Sequence, residues 1–259
     1  MRVFTVVQHE WQEGLRNRLL LFSVALPPVI FALIPVVMVL LAGMEPMSPR
    51  ELGPLYQMDP SLRGLDPVEA TQVLLITQFM LFFLMIPAVA PLVIASFSII
   101  GEKQARSLEP LLATPIAVWE LLIGKCVAAV VPGVLSTWLG YGLAVVGILL
   151  GGTRLAFLAA VHPIWLLSMV SVAPLIGVAS VGLAIIVSSR VNDTRVAQQI
   201  SGLLILPIMG LFVGQMAGLV LISVPMVLVG AVGLVVVDAA IMYLAVHLFR
   251  REKILVDWR

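Results

Sequence analysis

The residues best suited to chemistry lie between Gly101 and Lys125, in a chain that is otherwise strongly apolar. The pair Gly124-Lys125 invites comparison with the phosphate-binding pattern GxxxxGK[ST]. Cys126 follows the lysine, however, and Trp119 stands where the first glycine of that pattern would be. Without a loop that cradles phosphates, we expect this chain to hydrolyse no nucleotide itself.

Other patterns of catalysis and metal binding are missing from the sequence as well. It contains no HExxH motif, and His9, His162 and His247 are far apart. The lone Cys126 excludes an intramolecular disulfide framework and most thiolate metal sites. We therefore predict no catalytic residue, no metal and no cofactor bound by this chain, and no nucleic-acid partner.

Asp238 is the one formal charge in the apolar stretch 200–249. A carboxylate at mid-membrane depth costs about 2.5 to 3.5 kcal/mol on insertion scales, so it must be protonated or turned inward. Two interpretations stay open: a structural role in the helix bundle, or a role in lining or gating a path.

Composition determines the fold class that must position these residues. Hydrophobic residues make up 61% of the chain and the mean hydropathy is +1.13. Apolar runs of about 18 residues or more cross a bilayer as helices. We predict an all-α polytopic membrane protein, a single domain over 1–259. An amphipathic interfacial helix at 1–18 precedes six spans, at about 19–43, 71–100, 121–150, 163–187, 200–220 and 225–249.

The segments between these spans are predicted to be loops. Residues 44–70 are rich in proline, and 151–162 and 188–199 read as shorter connections. Two spans share 200–249, with a break between Gly210 and Ser223 and with Pro225 opening the last span. Prolines within spans, such as Pro87, Pro91, Pro174 and Pro207, are candidate positions for bending.

Charge sets the expected orientation. Six spans put both termini on one side, and 12 of the 15 Lys and Arg residues fall on that side, leaving Arg50, Arg63 and Arg154 on the other. The positive-inside rule then places the termini and 101–120 in the cytoplasm of a multi-pass protein in the cell membrane.

The polar segment itself has the signals of a short amphipathic helix. Ser107 suits an N-cap and Pro110 the first turn. Leu108, Leu111 and Leu112 then share one face, and Thr114-Pro115 ends the piece. Such a helix at the end of a span offers a surface to another protein. The alternative is a solvated loop whose leucines pack on the chain's own core.

The same residues resemble a known family. GEKQARSLEPLLATPI followed by WELLIGK is similar to the loop between the second and third spans of ABC exporter permeases of the ABC-2 type. The shared features are an acidic residue, a Ser-Leu-Glu step, Leu-Leu, Thr-Pro and Gly-Lys. They stand here as Glu102, Ser107-Leu108-Glu109, Leu111-Leu112, Thr114-Pro115 and Gly124-Lys125.

This resemblance implies that 101–120 is a cytoplasmic coupling segment that docks on a separate ATP-binding subunit, which would hold the ATP and magnesium. The leucines would anchor the contact, and charged neighbours would set its register. The docking residues we expect are Glu102, Lys103, Arg106, Leu108, Glu109, Leu111, Leu112 and Pro115.

The resemblance also implies a second permease copy, as a homodimer or heterodimer embedded in membrane lipid. Gly210, Gly214 and Gly218 are predicted to form two overlapping GxxxG steps on the fifth span, at the dimer interface or the path. Alternatively, these glycines pack the span within its own subunit. The competing function is a stand-alone ion-coupled carrier or a membrane scaffold. No residue specifies the substrate.

Overall fold

The computed structural model describes residues 2–58, 62–105, 117–220 and 222–248. Every regular element within these ranges is helical, which confirms the predicted all-α class. Six helical stretches are long and apolar enough to cross a membrane: Leu20–Met44, Pro67–Gln104, Val118–Gly151, Arg154–Arg190, Thr194–Met216 and Val224–Leu248. They are called the first to the sixth span below.

The N-terminal helix Arg2–Arg16 is separated from the first span by a cap. The Asn17 side chain accepts a hydrogen bond from the Leu20 amide at 3.2 Å, so the helix that begins at Arg18 starts anew. The N-terminal helix then lies against the start of the third span, where Trp11 Nε1 donates to the carbonyl of Ala128 at 3.0 Å. Its location in the membrane interface remains a prediction.

The loops on the side opposite the termini contain more helix than the sequence indicated. Residues 49–58 form the helix Pro49–Met58, and 154–160, predicted as part of a loop, form the helix Arg154–Ala160 that opens the fourth span. Each of these helices is preceded by a residue with a hydroxyl side chain. Ser48 donates from its amide and its hydroxyl to Glu51, each at 2.7 Å, and Thr153 accepts from the Ala156 amide at 3.3 Å.

The predicted turn at 188–199 is much shorter in the structure. The fourth span continues to Arg190, and the fifth begins at Thr194 because Asp193 accepts from the Arg195 amide at 2.7 Å. Several other bounds differ by a few residues. The second span starts at Pro67, capped by Asp66, and the fifth ends at Met216 rather than near 220. The helix of the sixth span starts at Val224, with Pro225 as its second residue.

Three of the candidate bending prolines follow a departure from α-helical geometry. The 3-10 segment Met80–Met85 precedes Pro87, and the π-helical segment Ser168–Val172 precedes Pro174. The 3-10 turn Gly202–Leu204 precedes Pro207. Proline lacks an N–H and crowds the carbonyl four residues earlier, so the preceding turn takes up a different hydrogen-bonding pattern. Bending at these prolines during function stays a prediction.

Small residues bring the central spans together. A Cβ on Gly133 would lie 2.4 Å from the Pro91 ring, so the second and third spans touch directly at that point. One on Gly140 would lie 2.9 Å from the carbonyl oxygen of Pro28 in the first span. The second and fourth spans are the most buried. The first, fifth and sixth leave most of their large apolar side chains exposed, as lipid-facing helices do.

Candidate functional site

A buried ionic cluster joins three elements at the membrane end that carries the N-terminus. Lys125, on the third span, is only 4% exposed. Its Nζ lies 2.5 Å from Glu10 Oε1 on the N-terminal helix and 2.8 Å from Glu102 Oε1 at the end of the second span. The same ammonium donates to Ser98 Oγ at 2.7 Å. One lysine thus connects the N-terminal helix to both spans that flank the polar segment.

The cluster satisfies its cation well. An ammonium group has three N–H donors, and three oxygens from Glu10, Glu102 and Ser98 surround it. Charge-assisted hydrogen bonds of this kind are short and about twice as strong as neutral ones. Such complete pairing is what makes a buried lysine tolerable, since an unpaired buried charge is strongly destabilising. The arrangement therefore fixes the relative positions of its three elements.

A second set of contacts joins the end of the second span to the turn before the fifth span. Lys103 Nζ donates to the carbonyl of Val191 at 3.2 Å, and Gln104 Nε2 donates to that of Asn192 at 3.1 Å. The fourth span ends at Arg190, so these carbonyls lie where a helix has no internal donors left. A cation there also complements the negative end of the helix dipole.

These contacts bear on two residues predicted to dock on a partner. Glu102 binds Lys125 and Lys103 binds the 191 carbonyl, so both side chains are engaged within the chain. Contact between either residue and a partner stays a prediction. The remaining predicted docking residues fall outside the described part of the chain: Arg106, Leu108, Glu109, Leu111, Leu112 and Pro115.

The residues on both sides of 106–116 belong to the described part of the chain. On one side Ala105 caps the second span, and its amide donates to the carbonyl of Gly101. On the other side the third span begins at Val118, and Glu120 accepts from the Ala117 amide at 2.9 Å. Both ends of the segment are therefore fixed to the end of the bundle that holds the Lys125 cluster.

Asp238 lies on the buried side of the sixth span and is 6% exposed. This span packs against the fourth, where a Cβ on Gly182 would lie 2.4 Å from Ile241, one turn beyond Asp238. Among the described residues neither carboxyl oxygen of Asp238 has a hydrogen-bond donor. The structure places Asp238 between packed helices, and both the structural and the gating role stay predictions.

The three glycines of the fifth span do not share one helical face as predicted. The helix ends at Met216, and Gly218 lies beyond it with φ of +69°, a left-handed conformation that favours glycine. A Cβ on Gly214 would lie 3.1 Å from Val220 of the same chain, whereas one on Gly210 would meet open space. Gly210 therefore has a surface free for a second copy, and its role at a dimer interface stays a prediction.

Sequence reasoning missed the partners of Lys125. Glu10 is 115 residues away in the chain, and Ser98 is 27 away. A signal was present for Glu10: it is three residues from Val7 and four from Gly14, two of the positions that face the bundle on the N-terminal helix. An acidic residue on the packing face of a helix requires a buried cation, and Lys125 stood at the entrance of a span.

Comparison with known proteins identifies the family of this chain. No curated protein sequence matches the chain. A family model described as ABC-2 family transporter protein matches residues 4–227, which include the N-terminal helix, the Lys125 cluster and the first five spans. The match covers most of the 259 residues. This chain, a multi-pass membrane protein with six apolar helices, belongs to the ABC-2 family of transporter proteins.

Proposed function

We propose that this chain is the transmembrane permease subunit of an ATP-driven exporter. ATP and magnesium would be held by a separate ATP-binding subunit, since the sequence lacks a phosphate-binding loop. Membership of the ABC-2 family supports such a partner. The proposal places the protein in the cell membrane with both termini in the cytoplasm, as the distribution of Lys and Arg indicates.

The observation that carries the proposal is the Lys125 cluster beneath the ends of the polar segment. A loop that only connects two spans needs no rigid support. Here its two flanks are joined to each other through Glu102 and Lys125, to the N-terminal helix through Glu10, and to the turn at 191–193 through Lys103. A force applied to the segment would therefore move the second and third spans with the N-terminal helix as one body.

In the proposed cycle, ATP binding closes two ATP-binding subunits and displaces the coupling segment of each permease copy. Leu108, Leu111 and Leu112 provide the apolar anchor in the partner's groove, with Arg106 and Glu109 at its rim. Displacement of the segment tilts the spans attached to it and opens or closes a path between two permease copies. Gly210, with open space around it, is a candidate contact between those copies.

The test is co-purification of an ATPase. The full chain is expressed with a candidate ATP-binding protein, beside a double variant carrying Glu109→Arg and Leu111→Arg. Arg50→Glu, on an exposed position of the helix Pro49–Met58, serves as the matched charge-reversal control. We expect the wild type and the control to retain the ATPase and to alter its turnover, and the double variant to lose both. Retention by the double variant would refute docking through this segment.

A further inference from the structure

An apolar cavity of about 240 Å³ lies between the second, fourth, fifth and sixth spans. Its walls include Leu84, Trp165 and Leu211, and no charged side chain of the described residues lines it. Ser168 contributes a hydroxyl, but that hydroxyl already donates to the carbonyl of Ile164 at 2.8 Å. A cavity of this size is below the ~300 Å³ typical of drug-sized ligand sites, and its lining suits hydrocarbon.

The cavity opens toward the membrane between two consecutive spans. The fifth and sixth spans are joined by a short turn, yet they make almost no contact with each other. Gly230 of the sixth span lines the cavity and is also exposed, so it lies at the mouth. Beside the mouth, Val213 and Val229 are more than half exposed. In a bilayer this opening faces lipid chains, so the occupant with direct access is a lipid.

Three departures from α-helical geometry meet at the cavity walls. The 3-10 segment Met80–Met85, the π-helical segment Ser168–Val172 and the 3-10 turn Gly202–Leu204 each contribute lining residues. Each of these segments changes the rotation of the side chains that follow it. Regular helices would present different side chains there, and π-helical turns are frequent at functional sites. Three of the four spans that line the cavity therefore owe the shape of their wall to an irregular helical segment.

Two amide side chains lie one turn outward from residues that line the cavity, a position called the rim below, and each has an unused acceptor. Gln215, 8% exposed, is one turn beyond the lining residue Leu211, and Gln78 is one turn outward from the lining residue Leu81. Gln215 Nε2 donates to the carbonyl of Thr77 at 3.2 Å, which fixes the amide's orientation. The Oε1 atoms of both glutamines are buried and have no donor among the described residues. Buried acceptors of this kind require a donor.

We propose that this cavity binds one hydrocarbon chain of a hydroxyl-bearing lipid from the leaflet opposite the termini. The chain enters between the fifth and sixth spans, and the hydroxyl donates its one hydrogen bond to Gln215 Oε1. Gln215 lies in the last turn of the fifth span, close to the depth at which lipid hydroxyls lie. This site stands independently of the export proposal, because it follows from the walls, the opening and the rim of one chain.

The first test blocks the cavity. The full chain is reconstituted in phosphatidylcholine vesicles with a diacylglycerol that carries a photoreactive diazirine in one acyl chain, and labelled peptides are identified by mass spectrometry. Gly230→Leu fills the mouth, and Gly233→Leu is its control, because a Cβ at either position meets no atom within 4 Å. We expect labelling within 204–211 and 222–234 to fall about tenfold in Gly230→Leu and to persist in Gly233→Leu.

The second test concerns the rim. Unlabelled dioleoylglycerol should compete with the probe about fivefold better than its 3-acetyl ester, which lacks the hydroxyl. Gln215→Leu should abolish that difference while leaving chain labelling in place. Equal competition by both lipids in the wild type, or equal labelling of Gly230→Leu and the wild type, would overturn the proposal. Disulfide crosslinking of two copies through Gly230→Cys, with loss of lipid labelling, would assign the mouth to a second copy and overturn it too.

Discussion

Removal of the Lys125 ammonium is the perturbation whose cost the structure defines best. In Lys125→Met the carboxylates of Glu10 and Glu102 stay buried and lose their shared cation. The side chains of Lys125, Glu10 and Glu102 are 3%, 9% and 14% exposed, so solvent screens the cluster little. Removing one partner of a buried ion pair costs about 3 to 5 kcal/mol. We expect the unfolding equilibrium to shift by roughly two to four orders of magnitude.

The assay is the free energy of unfolding of the purified chain in detergent, from denaturant titration followed by far-ultraviolet circular dichroism. A triple variant with methionine at 10, 102 and 125 is the control, because replacing a whole buried ionic group by apolar residues of similar volume is often neutral. We expect the triple variant to recover most of the stability lost in Lys125→Met. If Lys125→Met alone stays within about 1 kcal/mol of the wild type, the cluster does not carry the stability assigned to it here.

Three further predictions concern other parts of the chain. Gly140→Ala should cost about 1 to 3 kcal/mol because its Cβ would meet backbone of the first span at 2.9 Å, whereas Gly142→Ala, with no atom within 4 Å, should be neutral; thermal unfolding of the pair decides this. Asp238→Leu should raise thermal stability, since both carboxyl oxygens lack donors among the described residues, and a lowered melting temperature would contradict that. Hydrogen bonds from Ser48 lower the pKa of Glu51. The stability that they give the helix Pro49–Met58 is therefore present above the usual carboxyl pKa and is lost as the pH falls through the lowered pKa. Hydrogen exchange of that helix should show this acid dependence in the wild type and lose it in Glu51→Gln.

The six spans and most of their ends could be predicted from the sequence because hydropathy and capping act locally. Asp66, Asn17 and Asp193 begin helices where their side chains accept backbone hydrogen bonds. Hydropathy placed the break between the fifth and sixth spans only within 210–223, so the fifth span was predicted to reach about 220, whereas its helix ends at Met216. Glycine favours the left-handed conformation that Gly218 adopts after this helix, but it also fits an apolar glycine pattern within a span, and the order of residues alone did not separate the two.

The site was harder to predict because its contacts join distant segments. Lys125 stood out as a charge at the entrance of a span, yet its partner Glu10 lies on a helix that hydropathy alone assigned to the membrane interface. Lys103 was predicted to contact a partner subunit, but its amine reaches carbonyls that become available only where the fourth span ends. Hydrophobic periodicity identifies which face of a helix is buried, whereas the partner on that face depends on tertiary packing.

The cavity and its rim were invisible in the sequence for the same reason. Gln78 and Gln215 appear as single polar residues in apolar runs, far apart in the chain, and only the packed spans bring Gln215 to the carbonyl of Thr77, next to Gln78. The prolines that follow the irregular segments were recognisable. The effect of those segments on the cavity walls depends on how four helices pack, and local preferences do not determine that packing.

The measurement that tests the central claim most directly is the sidedness of the coupling segment. Ala105→Cys places a thiol on an exposed residue of this segment. Glu45→Cys places a thiol on an exposed residue on the opposite side of the membrane. The native Cys126 is buried. A membrane-impermeant maleimide is applied to intact cells and to permeabilised cells. We predict that the thiol at position 45 is labelled in intact cells and that the thiol at position 105 is labelled only after permeabilisation. Labelling at position 105 in intact cells would put the segment out of reach of any cytoplasmic ATP-binding subunit and would contradict the proposed function.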